Sequence, residues 1–296
     1  MTIHYPSRER KVLSQDEQTK ISNMLDRIQK LPSMPSLVVE ILESFDIEDV
    51  DLTMLANKIA CDQALVARVM RVANSPFFGL SGQIGSISEA VLVLGFSNLR
   101  GLVTAAAIIN AFPQAEKGFD WMAFWRHSIA TAVCAKVLAK HAGLNPESAF
   151  TAGLLHDIGK LVLGVHFPEV FAQACRFDFD GDTTAESLQA ERAALGFDHA
   201  ALGGELARRW HFPATIQQAI GLHHMAAEIS EGKTLTDVVC TANLFSHALE
   251  DGRIREDKAS LLATEAWARL GLDSETLETL ALEAQRLYTG ATMLIG

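Results

Sequence analysis

Apolar residues recur at three- and four-residue spacing along most of this chain and seldom alternate. The pattern predicts helices nearly throughout and almost no strand. Residues 16–30 (DEQTKISNMLDRIQK) place Ile21, Met24, Leu25 and Ile28 on one helical face. Leu31-Pro32-Ser33-Met34-Pro35 stops that helix, because proline cannot continue the hydrogen-bond ladder. A short helix over 36–45 follows. Asp51 and Asp62 stand in N-cap position for helices to Ala60 and Asn74, Ser86 or Ser88 for one to Leu94, and Ser97 opens a helix that ends before Pro113. The segment 113–118 marks a boundary, with an N-terminal helical subdomain at 1–116 and a second helical subdomain at 117–296. In the second, helices are expected near 120–142, 147–163, 168–176, 183–194, 198–210, 213–224, 234–250, 255–270 and 274–288. The fold class is all-α.

Composition sharpens this picture at three points. Apolar residues make up 49% of 296 and charged residues 21%, enough for a full core. The net charge of −11 argues against general nucleic-acid binding, which needs clustered Lys and Arg to neutralise phosphates. The helices at 52–60 and 63–74 have helix-turn-helix spacing, with Arg68 and Arg71 on the second, but no wider basic face accompanies them; they read as an ordinary helical hairpin. The four cysteines, Cys61, Cys134, Cys175 and Cys240, form no CxxC and are expected to be unpaired thiols of a reducing compartment. MTIHYPSRERKVLSQDE has no apolar signal segment, and the longest apolar region, Val91–Phe112, is broken by Ser97-Asn98-Leu99-Arg100-Gly101. No membrane association and a cytoplasmic location are therefore expected.

The chemistry lies with the histidines. Only His4 precedes residue 127, and nine others follow. His156-Asp157 sit inside the apolar run GLLHDIGKLVL, where leaving them unpartnered would cost about 1–3 kcal/mol each or more. His127 lies in the first turns of its helix, with Ala130 and Thr131 leaving room around the ring. His199 opens a helix capped by Asp198, and His223-His224 close the helix that starts after Pro213. Each is near a helix end, so several helices can bring them together. Gly159 would let the backbone leave the helix there. Neighbouring residues on a helix point about 100° apart, so a His-Asp or His-His pair does not readily chelate one ion. It serves two ions more naturally, or one ion plus a second contact, and a carboxylate can bridge two metals that activate water. Lone histidines such as His141, His166, His211 and His247 read as surface or satisfied core residues.

His127 followed by His156-Asp157 in HDIGK resembles the HD superfamily of metal-dependent phosphohydrolases. With His199 and His223-His224 the set is similar to that of the HD-GYP cyclic-dinucleotide phosphodiesterases. The first half is narrower in its likeness: LPSMPSLVVEILE, LANKIACDQALVARVMRVANSPFFG and ISEAVLVLGFSNLRGLV resemble the HDOD domain, the HD-related output domain of bacterial signalling proteins, over roughly residues 22–225. The resemblance implies a multi-helix HD-like bundle after the N-terminal subdomain, and a cytoplasmic signalling role through protein partners. HDOD domains are commonly degenerate in their metal site, yet this chain keeps His127, His156, Asp157, His199, His223 and His224. It departs from the enzymes at Asn243, which stands where the final HD aspartate is usual, and at Met225-Ala226-Ala227, where the GYP signature is missing. No receiver, GGDEF or EAL-like segment is present, so an input domain is expected on a separate partner.

Two functions follow. In the first, the chain is a regulatory output protein working through protein contacts, with a retained divalent-metal site; the LPSMP turn and the Phe77-Phe78 loop are candidate contact surfaces. In the second, it is a metal-dependent phosphohydrolase acting on a nucleotide or cyclic dinucleotide. There the six residues, with Asn243 as a seventh candidate, would hold one or two metals; Asp157 would bridge or orient water, Lys160 would meet phosphate oxygens, and Arg126 is a second phosphate candidate. A His-rich, carboxylate-poor set suits Fe, Mn, Ni or Zn better than Mg.

Overall fold

The computed structural model describes residues 14–26, 56, 59–60, 63–74, 84–95, 99, 103–106, 109, 119–174, 185–225, 232–250 and 261–291. The expectations for the LPSMP turn, the 36–45 helix, the Asp51 and Asp62 caps, the Phe77-Phe78 loop, the 113–118 boundary, Cys61 and Cys175 lie outside these residues.

Every regular element among the described residues is a helix. The N-terminal part contributes α1 (Gln15–Asp26), α2 (Gln63–Ala73) and α3 (Ile87–Leu94). The remainder contributes α4 (Trp121–Ala142), α5 (Pro146–Leu155), α6 (Ile158–His166), α7 (Pro168–Ala174), α8 (Ala185–Leu195), α9 (His199–Arg209), α10 (Ala214–Gly221), α11 (Leu235–Glu250), α12 (Glu265–Leu270) and α13 (Thr276–Ala291). No helix among them is long and apolar enough to cross a membrane. Cys134 and Cys240 are free thiols, and burial raises the pKa of both.

α4 is the axis. It is 22 residues long, capped by Asp120, whose carboxylate accepts the Ala123 N–H, and stopped by Gly143 in the left-handed conformation (φ 72°). Ala132, Ala135, Ala139 and Ala142 keep its surface low and fully or nearly buried, so that α5, α11 and α13 can all lie against it. Thr131 of α4 and Ser246 of α11 join hydroxyls at 2.9 Å across that contact. α5 starts cleanly because Asn145 accepts the Glu147 and Ser148 N–H groups and Pro146 occupies the first turn.

A second group of helices crosses at close range. α9 packs on α6 and α10. A Cβ on Gly204 would stand 2.8 Å from the Gly221 Cα, a contact only two glycines allow. α1 rests on the outside of α9, where Arg209 binds Asp26 at 2.7 Å and reaches the Ser22 carbonyl. A reciprocal cap between Ser14 and Glu17 opens α1.

Three boundaries differ from expectation. The helix predicted over 147–163 is two helices, broken at His156-Asp157. The break precedes Gly159, whose φ is not left-handed, so conformational freedom is not its role. A Cβ there would lie 2.0 Å from the His199 carbonyl oxygen, and the glycine lets the start of α6 touch the start of α9. The helix predicted over 213–224 stops at Gly221, leaving His223-His224 in a turn. Within the predicted 255–270 helix, Thr264 breaks the run by capping α12, its hydroxyl accepting the Trp267 N–H.

Candidate metal centre

Four of the histidines, His127, His156, His199 and His223, are held by Nδ1, which leaves Nε2 turned inward. His156 follows the end of α5, and its Nδ1–H donates to the Gly153 carbonyl at 2.8 Å. His223 does the same to the Ile220 carbonyl at the end of α10, also at 2.8 Å. His199 begins α9 and places Nδ1 2.8 Å from both oxygens of Glu191, a fully buried carboxylate of α8 that also accepts the His199 backbone N–H. His127, in α4, sets Nδ1 3.3 Å from Glu250. In a neutral imidazole such an outer partner fixes the tautomer and leaves the Nε2 lone pair to a ligand; at His199, which Glu191 and Asp157 hold protonated, a metal would displace the Nε2 proton.

Asp157 stands between the two groups. Although it occupies the N-cap position of α6, its side chain caps nothing; it is turned into the cluster. Oδ2 lies 3.4 Å from His156 Nε2 and 3.0 Å from Lys160 Nζ, while Oδ1 lies 3.1 Å from His199 Nε2 and 3.6 Å from His223 Nε2. The ligand atoms of Asp157, His199, His223 and His224 all lie within 4.8 Å of one another, as do those of His127, His156 and Asp157.

The electrostatics follow from burial. Burial and the neighbouring histidines keep His156 and His224 neutral, their pKa values well below the ordinary histidine value. Burial opposes charge on Asp157 too, but His156, Lys160 and His199 outweigh it and hold its carboxyl well below the usual range. Burial also disfavours His199 protonation, yet Glu191 and Asp157 prevail over it and over Lys160, raising its pKa to about 10.

The distances fit a cation. Two ligands about 2.0–2.1 Å from one ion are separated by about 2.9 Å at octahedral and about 3.3 Å at tetrahedral angles. His127 and His156 present Nε2 to Nε2 at 3.3 Å, and His199 and His224 at 3.0 Å. His156 is neutral with its Nδ1–H on the Gly153 carbonyl, so its bare Nε2 faces His127 Nε2 and can accept a hydrogen bond from it or share a cation with it. His223 Nε2 and Asn243 Oδ1 are buried atoms with no hydrogen-bond partner.

The six residues His127, His156, Asp157, His199, His223 and His224 thus converge, and Lys160 joins them through Asp157. Asn243 lies on α11 one turn before His247, which stacks on the His127 ring (centroids 4.4 Å, planes 21° apart). Arg126 is exposed. His223 and His224 approach one common position, contrary to the expectation for an adjacent pair, because they occupy a turn and the 100° helical offset does not apply. Sequence reasoning missed Glu191, His247 and Glu250. For the latter two a signal existed: Asn243, His247 and Glu250 recur at i, i+4 and i+7, one face of a helix. Glu191→Gln is expected to weaken metal binding 10–100-fold at the His199 position, the usual cost of losing an outer-shell carboxylate, as measured by competitive titration against a chelating dye.

Comparison with known proteins completes the assignment. An HDOD domain protein of unknown function from Geobacter sulfurreducens superposes with a TM-score of 0.77 at 25% identity, over 92% of this chain and 98% of that one. A candidate phosphohydrolase from Shewanella amazonensis SB2B superposes at 0.72 with 30% identity, over 91% and 97%. An uncharacterised protein of Treponema pallidum (strain Nichols) is 28% identical over 248 residues, 81% of this chain; the chain spans 47% of that protein's length. The HDOD domain family matches residues 31–226. With that match and the shared all-helical architecture, the chain belongs to the HDOD domain family.

Proposed function

We propose that this chain is an HDOD signalling protein carrying a centre for two divalent transition-metal ions bridged by Asp157, and that the centre acts on a phosphate ester of a nucleotide or cyclic dinucleotide. The observation that carries the reading is the position of Asp157, whose two oxygens each face a separate set of histidine Nε2 atoms. His127 and His156 would hold one ion with Asp157; His199, His223 and His224 would hold the other. Bound there, the ions would supply Lewis acidity and an activated water. The chain's own residues do the rest. Glu191 keeps His199 oriented, the Gly153 and Ile220 carbonyls keep His156 and His223 oriented, and Lys160 offers positive charge to phosphate oxygens at the inner wall. The name of the Shewanella relative supports phosphate chemistry. Nitrogen-rich ligation favours Fe, Mn, Ni or Zn.

Sequence alone placed the protein-contact scaffold, with a retained metal site, first; the ligand sets on both sides of Asp157 support the hydrolase reading. One observation still favours a metal-holding scaffold: Asn243 puts a neutral amide where the enzymes of the HD superfamily are expected to have a carboxylate. The test is elemental analysis of the purified protein, then a hydrolysis screen of mononucleotides, linear dinucleotides and cyclic dinucleotides with the as-isolated and the chelator-stripped, metal-restored protein. About two metals per chain with metal-dependent turnover is the expected result. Metal without turnover would leave the scaffold reading, and absence of bound metal after reconstitution would remove the centre.

A further inference from the structure

The contacts that orient His127 come from outside the matched family range. Its inward nitrogen faces His156, within that range. Its other contacts come from later in the chain. Nδ1 meets Glu250 Oε2 at 3.3 Å, at the last residue of α11. The ring lies against His247, one turn earlier on the same helix. The second oxygen of Glu250 accepts the Tyr288 hydroxyl at 3.3 Å, and Tyr288 belongs to α13. The HDOD match ends at residue 226. Both α11 and α13 pack along α4, so these contacts arrive on a continuous helical wall.

The trio His127, His247 and Glu250 is close enough to be a cation site in its own right. His127 argues otherwise. A neutral imidazole has one bare nitrogen and one N–H. If Nε2 serves the position shared with His156 and Asp157, Nδ1 carries the proton and can only donate, and Glu250 is where it donates. The arrangement repeats Glu191 and His199 on the opposite side of Asp157, where a carboxylate also grips Nδ1. The difference is exposure. Glu191 is sealed in the core, whereas the Glu250 side chain is 24% exposed and is braced by a tyrosine of the last helix.

We infer that Glu250, braced by Tyr288 and seated beside the His127–His247 stack, is the positioning residue of His127, so that α11 and α13 set the affinity of the metal position formed by His127, His156 and Asp157. This rests on the metal-centre reading above. It assigns a role to the segment beyond the HDOD match: the last helices tighten one of the two metal positions and leave the other alone.

The test titrates Zn²⁺ into metal-free full-length protein, resolving the two equivalents by calorimetry and dye competition. Wild type is compared with Glu250→Ala, Glu250→Gln, Tyr288→Phe and the Glu250→Ala/Tyr288→Phe double variant. Glu250→Ala is expected to weaken one equivalent 10–100-fold and leave the second unchanged. Glu250→Gln, whose amide oxygen still accepts the Nδ1–H, recovers part of the loss. Tyr288→Phe gives a smaller drop that vanishes in the Glu250→Ala background, the non-additivity expected of one hydrogen-bonded chain. Ring ¹⁵N spectra of the metal-free protein supply a readout that folding alone does not move: His127 holds its proton on Nδ1 in wild type and loses that preference in Glu250→Ala. Should Glu250→Ala fail to fold, Tyr288→Phe carries both measurements. Wild-type affinity at both equivalents with an unchanged His127 spectrum overturns the inference. So does a third Zn²⁺ that disappears in His247→Ala, which would make the trio a cation site. Wild type that binds no Zn²⁺ at all overturns the metal-centre reading itself, an outcome distinct from the other two.

Discussion

Asp157→Ala is expected to empty both metal positions at once. Among the described residues, no other side chain belongs to both ligand groups: His127 and His156 fall in one, His199, His223 and His224 in the other, and Asp157 in each. It also supplies the only carboxylate of either group. Its removal therefore costs each cation a ligand and its neutralising charge, and the loss should exceed the 10–100-fold typical of an outer-shell partner at both positions. The measurement is metal content after reconstitution and dialysis, with turnover in the same samples. His141→Ala is the control, since that ring is bound to Glu283 on the outer face and should leave metal content unchanged. Retention of one full equivalent in Asp157→Ala would show that the bridge does not exist.

The second large effect comes from a methyl group. An alanine in a helix interior ordinarily stabilises by about 1 kcal/mol over glycine. Gly159→Ala is expected to do the reverse, costing about 3 kcal/mol in urea denaturation and weakening metal binding at the His199 position. The added Cβ would sit 2.0 Å from the His199 carbonyl oxygen, 2.9 Å from its carbon and 3.1 Å from the Gly203 nitrogen. All three are backbone atoms, so no rotamer change can make room; α6 and α9 must part. Those two helices carry Asp157 and His199 at their starts, and their separation opens the 3.1 Å contact between the two side chains. Gly164→Ala is the comparison. There the obstruction is the Phe119 ring, which can turn, and the cost should be smaller. A stabilised Gly159→Ala protein would mean that the two helices are not held at this distance.

These cases mark what could be read from sequence. Helices over 120–142, 198–210 and 234–250 were legible to within a residue or so, because their apolar spacing is long and their caps, Asp120, Gly143 and Asp198, are local devices. His156-Asp157 and His223-His224 were legible because polar pairs in apolar surroundings demand partners. The break between α5 and α6 was not, since it depends on a contact between Gly159 and His199, forty residues apart along the chain. Glu191, too, sits among the ordinary charges of ERAAL, and nothing local distinguishes a carboxylate aimed at the core from one aimed at water. It is buried and bound to the ring and backbone N–H of His199, a partner that the local sequence does not announce. Adjacent histidines misled for the opposite reason: the helical offset was applied to residues that the chain had already taken out of the helix.

The inward nitrogens also bear on how the chain is tied together. His127 and His156 are 29 residues apart, and His199 and His224 are 25 apart. A cation held by either pair closes a loop of that length, as a disulfide would, with Asp157 knotting the two loops at one point. The closure entropy of such loops would then be met by coordination, and stability would become a function of free metal, rising by about 2.7 kcal/mol at a hundredfold excess over the dissociation constant. With the cysteines at 134 and 240 unlinked, the imidazoles of the proposed centre would do the cross-linking, and a chelator rather than a reductant would be the reagent that unfastens it.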